Sequence, residues 1–421
     1  MLIAFFGILI VAILIGIPIG FSISIAAFLF LLLDGFPAPG VVVQRMVAGV
    51  DSFPLLALPL FILAGNLMAY GTTSRLMNLA HALLGHVRGG LAMSGVVASA
   101  FFSSISGSGA ATCAAVGSII QPEMVKKGYD KGFVASIMAG AGSLGIVIPP
   151  SLPMVIFGVS AGVPIGDLFL AGILPGILTV LLLIVYAMWA ARVRNFPKTE
   201  KRSSNTELLV ALKGSILPLL MPAIILGGIM SGLFTPTESA VVAVAYALVL
   251  STMVYKELSF RDLCSVFIRS AKGSAIILFV IAASSPFSWV MAMEKIPQML
   301  SSFIIAVAPS EFVVLVMLVG FILLLGTFME TIAIIVIMTP IFMTLVTTID
   351  MDPVHFGAIL MLGLAIGGAT PPLSVNLFVT TKLINIQIEH CFPYILHVVF
   401  TMVVALALVT AIPWLSLWLT T

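Results

Sequence analysis

Residues 103–111 read SSISGSGAA, four serines and two glycines inside a chain that is 61% hydrophobic. Such a run forms no apolar helix face, and serine and glycine weaken any helix that passes through them. What it supplies is oxygen, as hydroxyls and as carbonyls left bare where a helix stops. Helix ends add partial charge, positive at the N-terminus and negative at the C-terminus. The positive ends suit a carboxylate, and the carbonyl-rich ends suit a hard cation such as sodium. Two proline pairs mark further breaks, Pro149–Pro150 in GIVIPPSLP and Pro371–Pro372 in GATPPLSVN, because proline lacks the N–H and clashes with the preceding turn. Glu330, in GTFME, is an acid within an apolar run, where an ionisable group marks a functional site. The plainer alternative for it is an interhelical hydrogen bond. Glu238, in TPTES, reads as the cap of a helix start.

These residues need elements to hold them, and composition says which. Only 8% of the 421 residues are charged, against about 25% in a soluble domain, and the mean hydropathy is +1.27. The expected fold is an all-α polytopic integral membrane protein. Stretches such as 177–191 and 240–255 are spans, since a helix needs about 20 apolar residues to cross the hydrocarbon. Strand alternation is absent, so helices and not a barrel satisfy the backbone. The start, MLIAFFGILI, lacks a basic flank and reads as a retained first span. A net charge of +2 points to no nucleic-acid partner. Nothing matches GxxxxGK[ST], so energy must come from an ion gradient or another subunit. Cys113, Cys264 and Cys391 are expected as small apolar residues in packed helices. The five histidines show no metal-ligand spacing, and none lies near a serine-rich tip where it could activate a nucleophile. No enzyme and no cofactor is expected. A channel is the weaker alternative, because nothing resembles a ring-forming filter.

The one long polar segment, 192–213, carries six Lys/Arg against two Glu, and the positive-inside rule places it in the cytoplasm. The apolar segment 89–124 lies between Arg88 and Lys126, both basic and hence on one side. Its arms are too short to span comfortably at about 1.5 Å per residue, which predicts a re-entrant hairpin with SISGSG at its tip. Segment 311–349 is flanked by acids, predicting a second hairpin entering from the opposite side with its tip at 326–330. Two inverted repeats follow. The first, 1–191, holds scaffold spans near 1–33, the hairpin, a broken helix at 132–165 and a closing span at 168–190. A linker at 192–213 and an extra span at 214–233 lead to the second, 234–421. It holds the hairpin at 311–349, a broken helix at 355–388 and a closing span at 394–418. Inverted repeats with helices interrupted at the midplane are a recurring plan of secondary transporters.

At SISGSGAATCAAVGSIIQPEM (104–124), GIVIPPSLPMVIFG (145–158), GLFTPTESAVVAVAYAL (232–248), GGATPPLSVNLFV (367–379) and PLFILAGNLM (59–68) the chain resembles the large membrane subunit of tripartite ATP-independent periplasmic (TRAP) transporters, the DctM-like family, over essentially its whole length. The resemblance implies a sodium-driven bacterial importer of organic acids, sialic acid or a C4-dicarboxylate, working as an elevator in the inner membrane. Its partners would be a small four-helix membrane subunit, a periplasmic substrate-binding protein and the lipid bilayer. Carried over residue by residue, one sodium site falls on Ser103, Ser106, Gly145, Ile148 and Pro150. The other falls on Gly326, Thr327, Gly368 and Thr370. Substrate contacts fall on Ser108, Gly109, Ser151, Glu330, Pro371, Pro372, Ser374 and Asn376. Leu373 and Ser374 depart from the small glycine expected after the second proline pair, and Ser374 would offer the substrate an extra hydroxyl. The tips carry no second cation for a second carboxylate, which favours sialic acid.

Overall fold

The computed structural model describes residues 2–35, 38–196, 203–308, 310–372 and 374–420, and among these there is no strand. Among these residues eight helices are long and apolar enough to cross a membrane, or nine spans when one bent pair counts as a single span.

One group of helices forms a compact side. The N-terminal stretch is not one span but two short helices, α1 (Leu2–Leu14) and α2 (Ile19–Leu33). Pro18 opens α2 after a turn at Gly16, where φ is +89°, and α1 folds back so that Phe5 meets Phe30 with ring centroids 5.2 Å apart. Thirteen residues rise only about 20 Å, so α1 alone is short of a crossing. Helices α3 (Ala38–Val50), α4 (Ala57–Leu84), α10 (Asn205–Met230), α11 (Pro236–Val249) and α12 (Phe260–Met293) complete the group, with α2, α3 and α4 all packed on α12. Helix α4 kinks at Tyr70 and Gly71. The expected linker 192–213 is shorter than foreseen, because Ser204 and Glu207 form a capping box that starts α10 at Asn205. The polar residues there are the exposed first turns of a long helix, and the extra span therefore runs 205–230.

The other group holds the interruptions. Helices α5 (Gly90–Ser106) and α6 (Gly109–Lys126) join through Gly107 and Ser108, with Gly107 at φ +60°, a left-handed turn that glycine adopts freely. Next come α7 (Lys131–Val147), α8 (Leu152–Ala161) and α9 (Ile165–Val193); α7 and α8 meet at 42° across the first proline pair. Following α13 (Ile296–Val307), helices α14 (Glu311–Phe328) and α15 (Thr331–Thr348) join through Met329 and Glu330. Helices α16 (Pro353–Ala369) and α17 (Val375–Leu383) flank the second pair, and α18 (Phe392–Ala411) and the short α19 (Trp414–Leu417) close the chain. The closing helix ends at Ala411 because Pro413 follows. Both Pro–Pro bonds are cis. Aspartates begin both interrupted helices: Asp130 accepts from the Gly132 and Phe133 amides, Asp352 from those of Val354 and His355. Helix α7 packs on α5, α6, α16 and α17, and α15 packs on α8. The two hairpins and the two broken helices thus form one interlocked unit. Cys113 and Cys391 are buried, whereas Cys264 is exposed, a correction to its expected packing.

Candidate functional site

The first tip is a knot of oxygen atoms. Thr112 Oγ1 lies 3.0 Å from Ser106 Oγ, 3.4 Å from Ser103 Oγ and 2.9 Å from the Ser108 carbonyl, to which it donates. All three side chains are buried. Thr112 is four residues after Ser108, so one helical turn brings its hydroxyl back onto the end of its own helix. Sequence reasoning passed over it, and that spacing was the available signal.

The break between α7 and α8 is pressed against this tip. A Cβ at Gly145 would meet the Ser108 carbonyl carbon at 2.6 Å, and one at Gly107 would meet the Pro150 carbonyl oxygen at 2.7 Å. The Leu152 amide donates to the Gly107 carbonyl at 3.2 Å. Ile148 ends α7, its amide donating to the Leu144 carbonyl, and its side chain packs against Gly176 of α9. Among the described residues no backbone N–H donates to the Ile148 or Pro150 carbonyl. Of the residues expected at the first sodium site, Ser103 and Ser106 belong to the oxygen knot and Gly145 and Pro150 press on the tip, whereas the side chain of Ile148 turns to α9.

The second tip is arranged differently. Gly326 of α14 and Gly367 of α16 touch backbone to backbone, a Cβ at either meeting the other's Cα at 2.9 or 2.5 Å. Thr327 and Thr370 turn their hydroxyls onto their own helices, to the Leu324 carbonyl at 2.7 Å and the Ile366 carbonyl at 2.6 Å. Gly368 faces the Asn376 amide. The Glu330 carboxylate caps α15, accepting from the Ile332 amide at 2.9 Å and the Ala333 amide at 3.3 Å.

Between the tips lies a cavity of about 160 Å³. Four helix N-termini line it: Ser108, Gly109 and Ala110 for α6; Leu152 and Pro153 for α8; Glu330, Thr331 and Ile332 for α15; Val375 and Asn376 for α17. Gly107, Gly326 and Gly368 let the backbone approach, and Ile146, Met329 and Ile277 supply apolar wall. Each end contributes a fraction of a positive charge, and those with free N–H groups add donors, the usual means of holding an anion. They are not equally free. Glu330 already occupies the end of α15, the Leu152 amide is committed to Gly107, and Ser374 Oγ accepts from the Leu377 amide in α17. The end of α6 has no side-chain cap and is the most open of the four.

Of the expected substrate contacts, Ser108, Gly109, Glu330 and Asn376 reach this cavity. Ser151 and Ser374 do not. Their hydroxyls donate across the breaks, to the Ile146 carbonyl at 2.7 Å and the Gly368 carbonyl at 2.6 Å, so each braces the helix it follows and has no proton left for a ligand. Pro371 and Pro372 are absent from the described wall, and Leu373 lies outside the described residues. Asn376 reaches across instead, its amide donating to Ser143 Oγ of α7 at 2.7 Å and lying against Gly109. Ser143 was not foreseen, and nothing in its local sequence distinguishes it from a packed serine. Glu238 closes a capping box with Thr235 at the start of α11, away from the cavity. No cluster of metal-ligating side chains occurs among the described residues.

A family model, "Tripartite ATP-independent periplasmic transporter, DctM component", matches residues 6–415. The isethionate TRAP transporter permease protein DctMQ of Oleidesulfovibrio alaskensis is 39% identical, over 97% of this chain and 64% of that one. The chain therefore spans just under two thirds of that relative's length. The sialic acid large permease SiaM of Vibrio cholerae is 35% identical over 96% of this chain and 95% of its own length. The C4-dicarboxylate large permease DctM of Rhodobacter capsulatus is 35% identical over 98% and 97%. In fold the chain resembles the Alcanivorax borkumensis YdaH transporter, with a TM-score of 0.50, 14% identity and coverage of 88% and 87%.

Proposed function

This chain belongs to the tripartite ATP-independent periplasmic transporter family, as its DctM component, and we propose that it is the large permease subunit of a sodium-coupled importer of an organic acid anion. It is a multi-pass protein of the bacterial inner membrane. The observation that carries the reading is the meeting of four helix N-termini at one cavity between two hairpin tips. An anion entering there takes the open end of α6 first. Its partners would be the small four-helix membrane subunit and a periplasmic binding protein that delivers the substrate.

Electrostatics supports the choice of coupling ion. The substrate anion and the Glu330 carboxylate would share one cavity, and at an effective dielectric of about 20 two like charges 4 Å apart repel by about 4 kcal/mol. A cation offsets this, and the buried oxygens of Ser103, Ser106 and Thr112 beside the bare Ile148 and Pro150 carbonyls suit sodium. The second sodium would lie by Gly326, Thr327, Gly368 and Thr370, held by backbone oxygens, since both threonine hydroxyls donate to their own helices. Among the described residues the cavity wall holds no Lys, Arg or His, which favours a monoanion such as sialic acid or a sulfonate over a dicarboxylate. The hairpins, broken helices and closing helices would move as one body past the helices packed on α12, carrying the site across the membrane as an elevator, with the two halves of the chain inserted as inverted repeats.

The test is uptake into proteoliposomes containing this chain and its small subunit, with the binding protein outside. N-acetylneuraminate, succinate and isethionate form the panel. The expected result is saturable uptake of one acid that requires both an inward sodium gradient and the binding protein. Flux that neither saturates nor needs the binding protein would show a channel instead.

A further inference from the structure

All but one of the described residues walling the cavity belong to the hairpins and broken helices; the exception is Ile277 of α12. Helix α12 is fixed on either side of it. Before Ile277, the Asn66 amide of α4 donates to Ser270 Oγ at 2.9 Å, and Gly273 faces Ile62. Beyond it, Ile281 is buried, and a Cβ at Gly49 of α3 would meet Ser285 Cβ at 2.5 Å. The β-branched side chain is itself stiff at χ1. A rigid apolar group on one body thus closes a cavity whose helix ends all lie on the other.

We propose that Ile277 is the fixed wall against which the bound anion rests, that it limits the size of acid accepted, and that the cavity must part from it during transport. This rests on the reading above, in which the hairpin-bearing unit moves. A wall on the stationary side touches substrate in one end state only. Its substitution therefore alters selection without touching the oxygens offered to sodium. In a cavity this small, one methylene is worth about 10–200-fold in discrimination.

Two measurements test it, both in a Cys264→Ser chain, since Cys113 and Cys391 are buried. In the first, Ile277→Cys and Met329→Cys are joined by a short bifunctional methanethiosulfonate. The expected result is a cross-link seen by mass spectrometry and uptake that stops until the link is reduced. Failure to cross-link overturns the placing of Ile277 and Met329 on one cavity wall, and uptake that persists through the link overturns the parting. The link is read without transport, so a chain that forms it yet imports none of the panel, even before cross-linking, sinks the importer reading while the shared wall stands. In the second, Ile277→Phe should raise KM for the imported acid at least about tenfold with the half-saturating sodium concentration unchanged, and Ile277→Ala should lower the KM of a bulkier acid. Equal KM values for Ile, Ala and Phe at this position would overturn the size limit.

Discussion

Single side chains divide here into those that brace and those that face the ligand. Ser106 belongs to the oxygen knot, so Ser106→Ala should raise the sodium concentration needed for half-maximal uptake; an unchanged sodium response would remove it from the cation site. Thr112→Val keeps the shape and deletes the central hydroxyl. The loss is about 1 kcal/mol per hydrogen bond, and the same sodium titration should report it. A sharper probe of the anion is Ala110→Asp. Ala110 is the second residue of α6 and lines the cavity, and an aspartate there would occupy the uncapped helix end from within. Uptake should be lost, because the aspartate takes the place of the anion at the helix end; wild-type uptake by this variant would show that the α6 end is not where the anion binds. Ser151→Ala, by contrast, should show its effect as lowered thermal stability, because its hydroxyl spans the break.

At the scale of elements, the repeated motif is a helix that stops, a short loop and a helix that restarts beside a neighbour's backbone. Association between helices in lipid relies on close packing, since the surrounding tails are as apolar as leucine. Glycine is therefore required at the contacts that set the tips. Gly145 against Ser108 and Gly326 against Gly367 leave no space for a methyl group. Gly145→Ala and Gly326→Ala should each cost about 1–3 kcal/mol through overpacking, measured as a fall in melting temperature in detergent. Gly145→Ala should weaken the sodium response as well, because it displaces the Ser108 carbonyl. Gly227, with nothing within 4 Å of its Cβ position, is the control: Gly227→Ala should leave the melting temperature the same or raise it slightly.

For the whole molecule, the decisive property is sidedness. Two cysteines placed on the exposed residues Asn78 and Lys127, before and after the first hairpin, should react with an impermeant thiol reagent from the same, cytoplasmic face. One at Ser310, at the start of the second hairpin, should react from the other face. Labelling of Asn78→Cys and Lys127→Cys from opposite faces would make α5 and α6 together a single crossing, with no re-entrant hairpin, and end the elevator reading. Helix α4 packs on α12 within the anchored group and on α5 in the hairpin unit, and it meets α5 on both sides of its kink at Tyr70–Gly71, through Gly65 against Ser106 and through the Ala80 carbonyl, which accepts from Ser94.

Much of this architecture was legible because membrane helices announce themselves through composition and their interruptions through proline, glycine and serine. SISGSG, GTFME and the two proline pairs stand where helices end in the structure, whereas single prolines such as Pro175, Pro286 and Pro340 lie inside continuous helices, so it is the clustered interruptions that local backbone chemistry makes legible. Local chemistry also misled where continuity depended on a partner. Residues 1–33 looked like span material, but the fold-back that brings Phe5 onto Phe30 and Phe287 is a tertiary contact. Ser151 and Ser374 looked like ligand groups for want of any sign that their hydroxyls were engaged. Residue types and spacing thus determined that polar backbone sits within apolar helices, and which residues form its edges. Only the tertiary structure decided which ends meet, that α6 presents the open one, and that Ile277, distant in sequence from every tip, closes the cavity. Convergence is set by packing between remote segments, and no local pattern encodes it.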